Sequence, residues 1–216
     1  MLGQHGRGLT KVLFTRPALA MARAGVTPNM LTVAGTAASV GAAVALLPQG
    51  HFVAGPIVLF FVLIADSFDG ILARATGKSS AFGGFLDSTM DRLADGAVLG
   101  SLTAWVGLHM APGALRTTTL ALSIASVVLA ATVPYARARA ESIGARAAVG
   151  IAERTDRLLV AMGATLAVGL GAPQWVLTAG LGYVTLASFM TVIQRILTVK
   201  KQLDAAGAPD AVEDGA

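Results

Sequence analysis

The sequence predicts an all-α integral membrane protein with six transmembrane helices, preceded by an amphipathic helix at the membrane surface. Of its 216 residues, 55% are hydrophobic and 13% are charged, whereas soluble domains carry about 25% charged residues. Six apolar segments, each near the roughly 20 residues that cross a bilayer, are joined by short connections. Nearly all cations fall on one side of these segments. Together these observations predict the fold class.

Residues 1–28 are expected to form a cytoplasmic N-terminal region. Leu9, Val12, Leu13 and Leu19 recur there at near-helical spacing among lysine and arginine residues. This pattern is typical of an amphipathic helix lying in the headgroup region, where it would contact membrane lipids. A flexible basic tail is the alternative.

Residues 29–199 are expected to form the helical membrane domain. Glycine and proline mark most of the connections between its helices, as at Pro48, Gly113 and Pro173. Residues 200–216 are small, acidic and poor in large apolar side chains, which predicts a disordered cytoplasmic tail. The predicted spans are 29–48, 52–74, 84–109, 115–138, 156–172 and 174–198.

The positive charges give the expected orientation. Fifteen of the sixteen lysines and arginines lie on one side of the predicted spans, and Arg116 lies on the other. The positive-inside rule assigns the basic side to the cytoplasm, so both termini are expected there, in a multi-pass protein of the cell membrane. The net charge of +4 then reflects cytoplasmic loops near anionic headgroups, and no nucleic-acid partner is expected.

Four aspartates lie in or beside the second and third predicted spans, where charged side chains are costly and usually functional. Spacings of i,i+3 and i,i+4 put both members of each pair on one helix face. The predicted orientation brings both faces to the cytoplasmic side of the membrane. There they would form a cage of oxygen ligands for Mg²⁺ (or Mn²⁺), with two ions per site. The four are Asp66, Asp69, Asp87 and Asp91.

The residues around these carboxylates predict a metal-dependent enzyme acting on a lipid, with its active site facing the cytoplasm. Gly70, Ala73 and Gly83 leave space beside the acids for a bulky anionic substrate. Arg74 could bind phosphate with its fork of donors. Structural ion pairs with Arg74 and Arg92 are the alternative for the acids, and a structural role is favoured for Asp95.

Residues 66–91 match the pattern D-x2-D-G-x2-A-R-x8-G-x3-D-x3-D, and the chain therefore resembles the CDP-alcohol phosphotransferase family of integral membrane enzymes. The resemblance implies a homodimer that transfers a phosphatidyl-type group from a CDP-linked lipid to an alcohol and releases CMP. It implies that Asp66, Asp69 and Asp87 hold the metals, and that Asp91 is a ligand or the general base. The CDP site would be lined by Gly70, Ala73, Arg74 and Gly83.

A group of arginines at the predicted cytoplasmic ends of the later spans indicates an anionic acceptor, most simply a phosphate. Lipid headgroups are the alternative partners of these cations. Residues 26–29, 135–141, 153–158 and 194–195 also resemble the bacterial phosphatidylinositol phosphate synthases. This implies CDP-diacylglycerol as donor and inositol 1-phosphate as acceptor, although arginine stands at 137 where those enzymes are expected to have lysine. The implied acceptor residues are Arg137, Arg154 and Arg195, with Arg157 weaker.

Two alternatives remain open from the sequence. Glycerol 3-phosphate is also anionic and would satisfy the same arginines, which would make the product phosphatidylglycerophosphate. A non-catalytic cation transporter could also use acids within the membrane. A transporter would more naturally place them at the bilayer midplane between repeated halves, and the sequence has no evident repeat.

Overall fold

A computed structural model describes residues 21–77, 79–151 and 153–207, apart from the side chains of residues 66–68 and 75. Within these ranges the chain forms helices and no strand, which confirms the all-α prediction. Of the predicted N-terminal amphipathic helix, only residues 21–23 are described as helical, and residues 1–20 lie outside the described ranges. The helices are α1 Pro28–Leu46, α2 Ala54–Thr76, α3 Ala81–His109, α4 Ala114–Ser142, α5 Arg154–Gly169 and α6 Trp175–Ala206.

Four of these helices, among the residues described, are long and apolar enough to cross a membrane: α1, α2, α4 and α6. The chain is thus a multi-pass membrane protein. The first half of α3 carries Asp87, Asp91 and Asp95, which lower its hydropathy, and α5 has only 16 residues. That α3 and α5 also span the membrane stays a prediction.

The chain divides into two compact units, Met1–Leu108 and His109–Ala216. In the first unit α1 packs against α2. The start of α1 is set by Thr27, whose side chain accepts a hydrogen bond from the Met30 amide at 3.3 Å, and by Pro28 in the first turn. The connection brings Leu47 so close to Gly55 that a β-carbon there would lie 2.8 Å from the leucine Cδ2. This fixes the entry of α2 beside α1.

In the second unit α6 packs against both α4 and α5. Hydroxyl pairs join α4 to α6, with 2.7 Å between the Thr119 and Thr178 oxygens and 2.9 Å between those of Ser126 and Thr185. Small and hydroxyl side chains allow close approach between helices in a membrane, where lipid supplies no hydrophobic drive for association. At Gly180 of α6 the two backbones approach closely, since a β-carbon there would lie 2.5 Å from Ala164 Cβ of α5.

The last helix corrects the predicted C-terminal boundary. Residues 200–206 are helical and continue α6 to Ala206, so the prediction of a disordered tail from residue 200 is wrong for this segment. Lysine, glutamine, leucine and alanine in this stretch are good helix formers. Gly207 then ends the helix in the left-handed conformation, with φ 62°. Residues 208–216 lie outside the described ranges.

Candidate active site

A cavity of about 230 Å³ lies in the first unit, among the first turns of α1, the last turns of α2 and the start of α3. Six of the residues singled out in the sequence line it, which confirms that the two halves of the motif meet. They are Asp69, Gly70, Ala73, Arg74, Gly83 and Asp87. The remaining lining residues are Pro28, Asn29, Thr32, Ser79, Ser80 and Gly84.

The α2 wall of the cavity follows from helical spacing. Asp69 and Ala73 are four residues apart, as are Gly70 and Arg74, so all four share one side of the helix. The guanidinium of Arg74 folds back over Gly70, where a β-carbon would lie 3.5 Å from Nη1 and 3.6 Å from Nη2. Arg74 and Gly70 therefore lie next to each other at the cavity wall.

The carboxylate of Asp69 is held by two donors. Thr32 Oγ1 donates to Asp69 Oδ2 at 2.6 Å, and the amide of Gly70 donates to Oδ1. A hydroxyl bonded to a carboxylate at this distance is in the range of strong, charge-assisted hydrogen bonds. Thr32 itself is buried, with 5% of its surface exposed. These contacts fix the direction in which the carboxylate faces the cavity.

The α3 wall depends on Ser80 and Gly83. Ser80 Oγ accepts a hydrogen bond from the Gly83 amide at 3.0 Å, which satisfies one of the open donors of the first turn. A β-carbon on Gly83 would lie 3.2 Å from Ser80 Oγ and 3.4 Å from Asn29 Oδ1. A larger residue would push into the space between the starts of α1 and α3.

Two of the four predicted metal ligands are found at the cavity. Asp69 and Asp87 line the cavity, while Asp66 is helical in α2 but its side chain lies outside the described residues. Asp91 is absent from the described lining and has Arg92 Nη2 3.4 Å from its Oδ2. Among the described side chains no cluster of three metal-binding groups is present. The donors that do meet, carboxylate and hydroxyl oxygens, suit a hard divalent cation.

Arg92 also forms an ion pair with Asp95, three residues further along α3, with 3.8 Å between Arg92 Nη1 and Asp95 Oδ2. Asp95 is buried. This ion pair agrees with the structural role favoured for Asp95, which stays a prediction. Asp91 shares the same cation, and its role as a metal ligand or an ion-pair partner stays a prediction.

Sequence reasoning missed Thr32 and the two serines. A threonine in an apolar helix usually bonds a carbonyl of its own preceding turn, and Thr32 Oγ1 does lie 3.2 Å from the Pro28 oxygen. Nothing in the sequence therefore marks Asp69 as the nearer acceptor of this single hydroxyl proton. The role of Ser80 is predictable from the sequence, because a serine just before a helix, three residues ahead of Gly83, is typical of an N-cap.

The predicted acceptor arginines all lie in the second unit, on α4, α5 and α6. Arg137 Nε donates to Glu141 Oε1 at 2.9 Å, and both side chains are about half exposed. Arg195 donates from Nε to the Val149 oxygen at 3.0 Å and from Nη1 to the Val133 oxygen.

The other two arginines lie in the first turn of α5. Arg154 is its first residue and is half-buried, whereas Arg157 is buried with 5% of its surface exposed. A capping box sets this helix start, in which the Glu153 amide donates to Asp156 Oδ2 at 3.0 Å. The position of both arginines therefore depends on where residue 153 lies.

Comparison with known proteins agrees with the motif. The model of the CDP-alcohol phosphatidyltransferase family matches residues 25–186. The phosphatidylinositol phosphate synthase of Streptomyces avermitilis is 37% identical over 220 residues, covering 99% of this chain and 88% of the relative. That of Mycobacteroides abscessus is 40% identical over 203 residues, covering 92% and 90%.

Two crystal structures of Mycobacterium tuberculosis phosphatidylinositol phosphate synthase resemble the fold, each with a TM-score of 0.82 at 33% identity. One contains manganese and citrate, and the match covers 94% of this chain and 93% of that one. The other has CDP-DAG bound, with coverage of 94% and 98%. On the family match and these relatives, the chain belongs to the CDP-alcohol phosphatidyltransferase family.

Proposed function

We propose that this protein transfers the phosphatidyl group of CDP-diacylglycerol to a hydroxyl of inositol 1-phosphate, forming phosphatidylinositol phosphate and CMP. The observation that carries the proposal is the meeting of motif residues from α2 and α3 at one cavity. The relatives named above support the choice of donor and acceptor. Because the family is one of transferases, the alternative of a non-catalytic transporter is dropped.

In the proposed arrangement α3 and α5 complete six membrane spans, and both termini and the cavity face the cytoplasm. The positions of the cations support this orientation. CDP and inositol 1-phosphate carry charged phosphates, so a site at the cytoplasmic membrane surface admits both while the acyl chains stay in the bilayer. The working form is proposed to be a homodimer.

Asp66, Asp69, Asp87 and Asp91 are proposed to hold Mg²⁺ (or Mn²⁺), two ions per site. The manganese complex of the M. tuberculosis relative supports a divalent cation. Such ions would neutralise the diphosphate and stabilise the charge that develops on the transferred phosphoryl group. Thr32 would hold Asp69 in one orientation for this task, as outer hydrogen bonds do at metal sites.

The donor lipid is proposed to bind through the small residues and the cation of the motif. Gly70, Ala73 and Gly83 leave the cavity wide enough for the CDP group, and Arg74 would contact its phosphates. A guanidinium suits this role because its donors match phosphate oxygens in pairs.

In the reaction, an acceptor hydroxyl oxygen forms a bond to the phosphorus of the phosphatidyl group as the bond from that phosphorus to CMP breaks. Asp91 is proposed to take the hydroxyl proton as general base, and CMP leaves with the electron pair of the broken bond. Arg92, 3.4 Å from Asp91 Oδ2, would hold that carboxylate in place. Asp95 would anchor Arg92 from its other side.

The acceptor's own phosphate is proposed to bind Arg137, Arg154 and Arg195, with a weaker contribution from Arg157. Glu141 Oε1 now accepts from Arg137 Nε, so phosphate binding would exchange one anion for another at this cation. Arg195 is already held by two backbone oxygens, which would limit its motion when the phosphate arrives. An acceptor with no phosphate would gain nothing from these cations.

The test is CMP release by the purified protein from CDP-diacylglycerol with Mg²⁺, comparing inositol 1-phosphate, glycerol 3-phosphate and free inositol. The proposal expects inositol 1-phosphate to give the highest kcat/KM and free inositol to give almost none. A preference for glycerol 3-phosphate would overturn the acceptor and leave the donor reaction in place. A failure to release CMP with any alcohol would overturn the proposed function as a whole.

A further inference from the structure

The segment between α4 and α5 lies along one face of α6. We name residues 143–151 the strap. Four residues of α6 contact it: Thr191, Arg195, Val199 and Gln202. These positions are separated by four, four and three residues, so they form a single row on the helix surface. The strap is irregular, and its contacts run antiparallel to α6, from residue 151 at Thr191 to residue 146 at Gln202.

The first contact is made by Thr191, which is fully buried. Its Oγ1 accepts a hydrogen bond from the Ile151 amide at 3.2 Å. A β-carbon on Gly150 would lie 2.6 Å from Thr191 Cγ2, closer than side chains approach each other. Glycine at position 150 therefore lets the strap backbone touch α6 directly.

The last contact is made by Gln202. Its Oε1 accepts from the Arg146 amide at 2.8 Å, and its Nε2 donates to the Arg146 carbonyl oxygen at 2.7 Å. One side chain thus satisfies both backbone groups of one strap residue. Ala145 and Ala147 on either side are buried in a small cluster that includes Val199. Gln202 therefore holds the strap backbone between two residues of this cluster.

The strap connects directly to the proposed acceptor residues. Arg195, between the two end contacts, binds the Val149 oxygen of the strap. Beyond the strap, the capping box at Glu153 begins α5 and sets the positions of Arg154 and Arg157. A shift of the strap along α6 would therefore move these arginines relative to Arg195.

We infer that Gln202 is a positioning residue for acceptor binding, because it fastens the strap that carries the chain to Arg154 and Arg157. The inference rests on the proposed function of these arginines. Gln202 need not touch the acceptor itself. It acts by holding the Arg146 backbone, and it belongs to the segment of α6 that the sequence assigned to a tail.

The test compares Gln202→Ala with Lys201→Ala, a matched control at the exposed neighbouring position of the same helix. Each lost hydrogen bond weakens the strap modestly. We expect the KM for inositol 1-phosphate to rise about threefold to tenfold in Gln202→Ala, while kcat and the KM for CDP-diacylglycerol stay within about twofold. Lys201→Ala should leave all three values unchanged. Equal rises in both KM values, or no rise, would overturn the inference.

Hydrogen exchange provides a readout that needs no substrate. The amide of Arg146 should exchange at least about tenfold faster in Gln202→Ala than in the control, since it loses its acceptor. Unchanged exchange at Arg146 would refute the proposed hold of Gln202 on the Arg146 backbone, even if the protein were active. If the wild-type protein instead prefers glycerol 3-phosphate, the proposal of inositol 1-phosphate as acceptor is wrong. The exchange rate at Arg146 still tests whether Gln202 holds the strap. The KM comparison is then made with that acceptor.

Discussion

Thr32→Val is expected to weaken divalent cation binding about 10-fold to 100-fold. The substitution keeps the shape of the side chain and removes only the hydroxyl that donates to Asp69 Oδ2 at 2.6 Å. Hydrogen bonds to charged groups contribute about 1.5–3 kcal/mol, and about 1.4 kcal/mol corresponds to a factor of ten. The free energy of this hydrogen bond therefore corresponds to a loss of affinity of about 10-fold to 100-fold, as expected for an outer hydrogen bond at a metal site. Without this donor, the carboxylate can rotate away from the orientation that the cavity requires.

The assay is a Mn²⁺ titration of the purified protein, with free Mn²⁺ measured by electron paramagnetic resonance and CMP release measured in parallel. Thr36→Val is the matched control, because Thr36 lies one turn further along α1, is also buried and does not line the cavity. Thr32→Ser keeps the donor and should bind Mn²⁺ nearly as the wild type does. Equal Mn²⁺ affinities for Thr32→Val and the wild type would refute the proposed role of this hydrogen bond.

The remaining predictions concern catalysis, donor binding and packing. Asp91→Asn should abolish phosphatidyl transfer while CDP-diacylglycerol binding, measured by equilibrium binding, stays largely intact; near-normal turnover would remove Asp91 as the general base. Gly83→Ala should raise the KM for CDP-diacylglycerol in the CMP-release assay, whereas Gly96→Ala, further along α3, outside the cavity lining and with open space around its β-carbon, should not. Gly180→Ala should lower the free energy of unfolding by about 1–3 kcal/mol, measured by thermal unfolding in detergent, because its β-carbon would lie 2.5 Å from α5. Gly182→Ala is the control, and equal stability of the two variants would contradict this packing.

The sequence predicted the meeting of Asp69 and Asp87 because two simple rules apply to them. Helical spacing puts each acid on a defined face, and the short connection keeps the end of α2, at Thr76, near the start of α3, at Ala81. Arg74 and Gly70 follow from the same spacing. Their places at the cavity are therefore set by regular local geometry, which a single sequence carries.

The contacts of Thr32 and Gln202 could not be predicted in this way. Thr32 reaches an acid 37 residues away, and Gln202 reaches a backbone 56 residues away. Neither contact follows from a regular spacing in the sequence, because each depends on how separate segments of the chain pack together. The helical end of α6 was missed for a related reason. Residues 200–206 are mostly good helix formers, but the small and acidic residues that follow dominate the composition of the segment 200–216 and predict a disordered tail.

The central claim is that the protein transfers a phosphatidyl group to inositol 1-phosphate at the cavity lined by α1, α2 and α3. The most direct measurement incubates the purified protein with CDP-diacylglycerol, Mg²⁺ and labelled inositol 1-phosphate, and quantifies both products by mass spectrometry. We predict CMP and phosphatidylinositol phosphate in equal amounts from the wild type, and neither from Asp69→Asn. Full activity in Asp69→Asn, or CMP formed without the labelled lipid, would contradict the claim.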